Sequence, residues 1–462
     1  MMNWKTLALS LAALLYSGLA AARNPALSPC HLPHLPERVQ CGAIEVPEDR
    51  SRPAGRRIAI HFALVPATAR PAEADPLLVL AGGPGQAAME YGALLSGTLR
   101  DVRKRRDVLL IDQRGTGRSA PLTCAMPVDA IGDGDTAAVQ SHLRRCLSRL
   151  DADPRHYHTS AALADFEAVR RALGYRQVSL WGGSYGTRTA LLYARQYPDS
   201  VRSMVLDSVA PPNARVLLSS AHSQAALERL LADCAADPAC ATAFPHLRRD
   251  LATVLALPAV GRHAGPAIPQ LLRGALYVPS HASVLPYAIH AAANGQFRPL
   301  QGVYDATASW SLESMTFGQT LSALCTDDAP FIDAAALARD AAGSVFGDAY
   351  ARGWRDWCSA WPVATPPGEL AQPVVSAVPA LLFAGGLDPV TPPANAQLAA
   401  RTLRHSRVLV APQAGHTFSG TGCAPQLIAT FLEHADPAAV DGACLAAIRR
   451  PPFVLANGQP AL

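Results

Sequence analysis

The stretch V-S-L-W-G-G-S-Y-G-T-R-T-A-L-L-Y-A-R-Q-Y-P-D-S-V, from Val178 to Val201, decides the fold. Val178–Trp181 is apolar and short, as a buried strand requires, and Arg188–Tyr197 repeats apolar residues such as Leu191, Leu192 and Ala194 at helical spacing. Ser184 stands at the join. Gly182 and Gly186 remove side chains for which a sharp strand-to-helix turn has no room. Such a turn lifts the serine Oγ out of the sheet and aims the Tyr185 backbone N–H at the same space. A lone G-x-S-x-G is common by chance; the strand before it and the helix after it give this one meaning.

Working outward, the same alternation recurs. Cys41–Val46 and Ile58–Val65 read as strands around a Pro/Arg-rich turn. Pro76–Leu80 is a buried strand ending in A-G-G-P-G, and Asp107–Ile111 another ending in D-Q-R-G-T-G-R-S. Ala161–Leu173 reads as a helix and Ser203–Leu206 as a strand. After a long interval come a strand at Val378–Ala384, a helix at Ala394–Leu403 and a strand at Arg407–Val410. Strands alternating with helices predict an α/β fold, a mostly parallel sheet with helices on both faces and reactive residues at the C-terminal strand ends. Residues 211–373 break the rhythm: they are rich in Ala, Leu and Arg, carry Trp310, Trp354, Trp357 and Trp361, and read as a large helical cap insertion. The expected division is a leader at 1–22, a core in two parts at 23–210 and 374–462, and the cap between them.

The chain has 462 residues, half of them hydrophobic, enough for a sizeable core. A net charge of +4, spread as single arginines, gives no nucleic-acid footprint. The one dense run, R-K-R-R at Arg103–Arg106, reads as a solvated helix end. Lys5, the apolar Leu7–Leu19 and the small residues Ala20–Ala22 form an export signal too short for a stable membrane anchor. In an exported chain the ten cysteines point to disulfides. Spacing does not prove connectivity. Joining neighbours in order (Cys30 with Cys41, Cys124 with Cys146, Cys234 with Cys240, Cys325 with Cys358, Cys423 with Cys444) closes five loops of modest length and is the expected pattern. No C-x-x-C pair or zinc-spaced histidine is present, so neither a metal nor another cofactor is expected.

A serine hydroxyl needs a base, and the base needs an acid to orient it. Asp388 follows one predicted strand in G-G-L-D-P-V-T-P, and His416 follows the next in A-G-H-T-F. The chain order Ser184, Asp388, His416 is that of the α/β-hydrolase fold. Thr391, three residues after Asp388, is placed to orient that loop or simply to turn it. The oxyanion of an acyl-transfer intermediate needs two N–H donors. Tyr185 supplies one; Gly83, in preference to Gly82, supplies the other, because glycines let a backbone approach substrate closely.

Taken together, A-G-G-P-G, D-Q-R-G-T-G-R-S, G-G-S-Y-G, G-L-D-P-V-T-P and G-H-T-F resemble the proline iminopeptidase and tripeptidyl aminopeptidase family of serine peptidases. The C-terminal part, with Cys423 and Cys444, is similar to the same region of the secreted tripeptidyl-aminopeptidase-type enzymes. The resemblance implies an α/β-hydrolase core with a helical cap, Ser184 as nucleophile, and removal of short N-terminal fragments from peptides. Where family members often read H-G-G-P-G this chain has Ala81, which loosens the link to a narrow prolyl specificity. The resemblance makes Arg114 a brace between loops. Cys325-Thr326-Asp327-Asp328 is similar to an acidic element of the family's cap, so Asp327, then Asp328, are the candidate ligands for a substrate ammonium. A carboxylesterase or amidase using the same triad is the alternative; a non-catalytic binding protein would have little need to keep all three side chains.

Overall fold

The computed structural model describes residues 25–127, 130–131, 134–257, 268–365, 368–456 and 459–460; the leader expected at 1–22 and the side chain of Trp310 lie outside the described residues. A nine-stranded sheet runs in the order β1-β2-β3-β5-β4-β6-β7-β8-β9. Its strands are β1 (Ser28–Leu32), β2 (Leu35–Pro47), β3 (Arg57–Val65), β4 (Leu77–Leu80), β5 (Val108–Ile111), β6 (Val178–Gly183), β7 (Val201–Asp207), β8 (Ala380–Gly385) and β9 (Ser406–Ala411). β1 to β3 form an antiparallel flank that joins β5 antiparallel, and from β5 across to β9 all neighbours are parallel.

The continuous apolar runs make sense as strands covered on both faces. Leu78, Leu80, Leu109, Leu180, Leu206 and Leu382 enter one hydrophobic cluster, whereas their neighbours Leu77, Val79, Leu110, Trp181, Val205 and Phe383 enter another across the sheet. The helices that matter for the site are α1 (Thr159–Ala172), α2 (Tyr185–Gln196), α3 (Ser220–Ala236), α4 (Ile268–Leu276), α5 (Phe317–Asp327), α6 (Ala349–Cys358), α7 (Pro393–Ala400) and α8 (Ala424–His434).

Between β7 and β8 every described element is helical. The packing divides this insertion. Its first part, including α3 and α4, buries Leu227, Leu231, Leu272 and Leu276 in a separate cluster, while Phe317 and Leu321 of α5 and Trp354 of α6 join the central core. Helix α5 is buried along its whole length and is therefore as much a core helix as a cap helix. The cysteines pair Cys30–Cys41, Cys124–Cys146, Cys234–Cys240, Cys325–Cys358 and Cys423–Cys444.

The R-K-R-R run differs in part from the expected solvated helix end. Arg103 pairs with Glu37, Lys104 with Asp101, and Arg105 with Glu73; Arg106 is buried against Asp75. The run does close a helix, and Lys104 and Arg105 are solvated as expected, but carboxylates from distant segments pair with Arg103, Arg105 and Arg106.

Candidate active site

β4 and β6 are neighbours, but the chain leaves β4 for β5 on one side and leaves β6 for β7 on the other. The C-terminal ends of these two strands therefore flank the crevice of a topological switch point. Ser184 occupies the end of β6 with φ 54° and ψ −122°, a backbone conformation costly for a residue with a Cβ and typical of strained functional turns. The flanking glycines are steric necessities. A Cβ on Gly186 would stand 2.1 Å from the Leu80 carbonyl oxygen, and one on Gly182 2.5 Å from that of Gly186. The Ser184 N–H donates to the Asp207 carbonyl at 2.8 Å, while Ser184 Oγ makes no hydrogen bond among the described residues.

Asp388 and His416 come from the loops after β8 and β9 and meet directly, with His416 Nδ1 2.8 Å from Asp388 Oδ2. The other Asp388 oxygen accepts the N–H groups of Val390 (2.9 Å) and Thr391 (2.8 Å). Thr391 Oγ1 donates to Asp388 Oδ2 at 2.8 Å and lies 3.1 Å from His416 Nδ1. Burial pushes the Asp388 carboxyl up, but the His416 charge and these hydrogen bonds prevail and hold it at about 2. Burial pulls the imidazole down, yet the Asp388 charge and hydrogen bond raise it above its ordinary value. The carboxylate thus fixes the tautomer with Nδ1 protonated and leaves Nε2 free to act.

Sequence reading missed the hub that binds these loops together. The buried Asp207, at the end of β7, accepts the N–H groups of Phe418 (3.3 Å) and Ser419 (2.8 Å) through its carboxylate. Ser208 Oγ accepts the Thr417 N–H at 2.7 Å. One strand end therefore anchors both the Ser184 turn and the segment just after His416. The only sequence signal was an Asp-Ser pair closing an apolar run, which many strands share.

The loop after β4 lies against the serine: a Cβ on Gly82 would stand 3.4 Å from Ser184 Cβ. Its N–H is spent on Tyr91 Oη at 3.2 Å, which removes Gly82 as an oxyanion donor. Gly83 N–H has no acceptor among the described residues, and Tyr185, the first residue of α2, has none within its own helix. Thr320 of α5 clamps the loop by donating from Oγ1 to the Pro84 carbonyl at 2.7 Å. Thr316 N–H donates to the Gly85 carbonyl at 2.9 Å. Behind it, the fully buried Arg114 pairs with Asp165 and donates to the carbonyls of Pro47, Glu48 and His156, joining three segments away from the crevice.

The acidic pair is a correction. Asp328 is 0% exposed, pairs with Arg188 at 2.9 Å and accepts the Val216 and Leu217 N–H groups, so no face remains for a substrate ammonium. Asp327 is 1% exposed and caps the start of α1, with Oδ2 accepting the Thr159 N–H (3.2 Å) and the Tyr185 hydroxyl (3.1 Å). The physical reason is their position at the C-terminal end of a helix buried in the core, where Asp328 and the Oδ2 atom of Asp327 serve internal donors, while Asp327 Oδ1 is buried without a hydrogen-bond partner among the described residues.

Residues 75–422 match the family model described as alpha/beta hydrolase fold, and the chain belongs to that family. Among curated proteins it is similar to a tripeptidyl aminopeptidase of Streptomyces lividans, 30% identical over 39% of this chain and 37% of that protein. It is also similar to the serine protease Hip1 of Mycobacterium tuberculosis, 30% identical over 45% of this chain and 43% of that one. A proline iminopeptidase of Neisseria meningitidis is 30% identical over 29% of this chain and 32% of its own length. The chain thus spans well under half the length of these relatives. A solved proline iminopeptidase from Mycobacterium smegmatis aligns with a TM-score of 0.42 and 19% identity, over 86% of this chain and all of that one.

Proposed function

We propose that this protein is an exported serine hydrolase acting as an aminopeptidase, which removes short N-terminal fragments from peptides through an acyl-enzyme on Ser184. The observation that carries the reading is the Asp388–His416 hydrogen bond at the strand ends, with Ser184 held on a positive-φ turn over the same edge of the sheet. The aminopeptidase and serine protease names of the relatives favour peptides over esters. The leader-like first residues and five disulfides favour export.

In the proposed reaction His416 Nε2 takes the Ser184 proton as Oγ bonds to the scissile carbonyl carbon, whose oxygen becomes an oxyanion. Gly83 and Tyr185 N–H groups receive it; one such donor contributes about 3–4 kcal/mol in comparable sites. Collapse breaks the C–N bond, and His416 protonates the leaving amine. Water, deprotonated by the same imidazole, then cleaves the acyl-enzyme, and the proton returns to Ser184. Asp388 stays ionised throughout.

A fluorophosphonate probe should label the wild type and leave Ser184→Ala unlabelled. Peptides with a free amine should be cleaved and their acetylated forms spared. Equal cleavage of both defeats the exopeptidase reading, and labelling that survives in Ser184→Ala defeats the nucleophile.

A further inference from the structure

The buried arginines Arg106, Arg114, Arg170 and Arg188 each have a carboxylate partner, respectively Asp75 at 3.1 Å, Asp165 at 2.6 Å, Glu167 at 2.6 Å and Asp328 at 2.9 Å. Arg273 on α4 is the exception. It is only 8% exposed, yet among the described residues it makes no ion pair. Its Nε donates to Ser219 Oγ at 3.1 Å, and its guanidinium lies over the rings of Tyr350, 4.0 Å from the centroid, and Tyr277, at 5.5 Å. Burial pushes the Tyr277 hydroxyl up to about 12, so at neutral pH that neighbour brings no negative charge. Burial works against the Arg273 charge, but Tyr277 and Tyr350 outweigh it and keep the guanidinium ionised; among the described residues no carboxylate neutralises that charge. Its planar fork of donors suits a carboxylate.

The position points to the source of that carboxylate. Tyr277 stands edge-on to the His416 imidazole with ring centroids 5.0 Å apart, and its carbonyl accepts the His416 N–H at 3.0 Å. These contacts put Arg273 within about three extended residues of the imidazole. Tyr277 is thus in contact with both the Arg273 guanidinium and the His416 imidazole. In the proposed reaction His416 hands its proton to the leaving nitrogen, so the leaving segment is the part of the substrate assigned to Arg273.

Resting on the peptidase reading, we infer that Arg273 binds a carboxylate on the leaving side of the scissile bond, which makes short peptides ending soon after that bond the preferred substrates. That carboxylate is either the C-terminal one or an Asp or Glu side chain within the leaving segment.

The test uses the full-length protein and free-amine peptides with leaving segments of increasing length. Each peptide is prepared as the C-terminal acid, as the amide, and as an amide carrying Asp in the leaving segment. The acid, the Asp-containing amide or both should exceed the plain amide in kcat/KM by about tenfold or more for the shortest leaving segments. Recovery of the Asp-containing amide would assign the side-chain source, and its failure the terminal one. Arg273→Gln should bring acid and amide close together, and Arg273→Lys should keep part of the gap. Equal kcat/KM for the acid, the amide and the Asp-containing amide in the wild type overturns the inference whether or not the variants fold, and so does a preference that survives in Arg273→Gln. Failure to cleave any peptide would instead fell the peptidase reading beneath it.

Discussion

Asp388, Thr391 and His416 form a compact relay in which each side chain has a definite task. Thr391 gives Asp388 Oδ2 a second donor beside the imidazole. Thr391→Val keeps the shape and removes about 1 kcal/mol of hydrogen bonding, so kcat should fall about fivefold with KM little changed. The pH profile has a definite sign. The base must be neutral to accept the serine proton, and Asp388 raises the imidazole above 6.5. The acid limb of kcat/KM should therefore turn over above that value in the wild type. In Asp388→Asn burial acts without the opposing charge, so the limb should move to lower pH while activity falls steeply; a limb that stays in place would show that another group titrates. The Ser184 turn and the pairing of Asp388 with His416 were legible from sequence, because strand, turn and side chain lie within a few positions of one another. Asp207 was not, because its task is defined only by the His416 loop more than two hundred residues away.

At the scale of elements, α5 and its N-terminal cap set the shape of the Gly82–Gly85 loop, which is proposed to hold the oxyanion. A helix buried on every side is rigid, and its Thr316 and Thr320 fix the carbonyls of Gly85 and Pro84. Gly85 shows how close the approach is: its φ is 112°, and a Cβ there would stand 2.5 Å from Thr320 Oγ1. Thr320→Val leaves the Pro84 carbonyl without this donor and lets the loop turn away from Ser184. A loss of about 1–2 kcal/mol, or about tenfold in kcat, is expected with KM held, and Thr320→Ser should restore most of it. A change confined to thermal stability would reduce Thr320 to a packing residue. The apolar periodicity of α5 is readable from sequence, but its membership in the core is not. Asp327 and Asp328 followed that helix inward, which is why acidic residues that looked suited to a cleft became a helix cap and an arginine partner.

For the whole molecule, the Cys325–Cys358 bridge ties α5 to α6 and closes the longest disulfide loop in the protein, with a sequence separation of 33. Replacing both cysteines by serine should cost about 3–4 kcal/mol and lower Tm by about 3–4 °C. Since Thr320 of α5 holds the loop proposed to bind the oxyanion, kcat should fall in the same variant well below that Tm; differential scanning calorimetry and initial rates separate the two effects. The parallel sheet, the serine turn, the order of the reactive residues and the helical nature of the insertion were determined by sequence alone, because periodicity, glycine placement and chain order are local or one-dimensional properties. Only the tertiary structure decided that the insertion divides between two hydrophobic clusters, that Asp207 joins the serine and histidine loops, and that Arg273 is buried without a carboxylate. Burial and charge compensation depend on which distant segments meet, and that is settled when the chain packs.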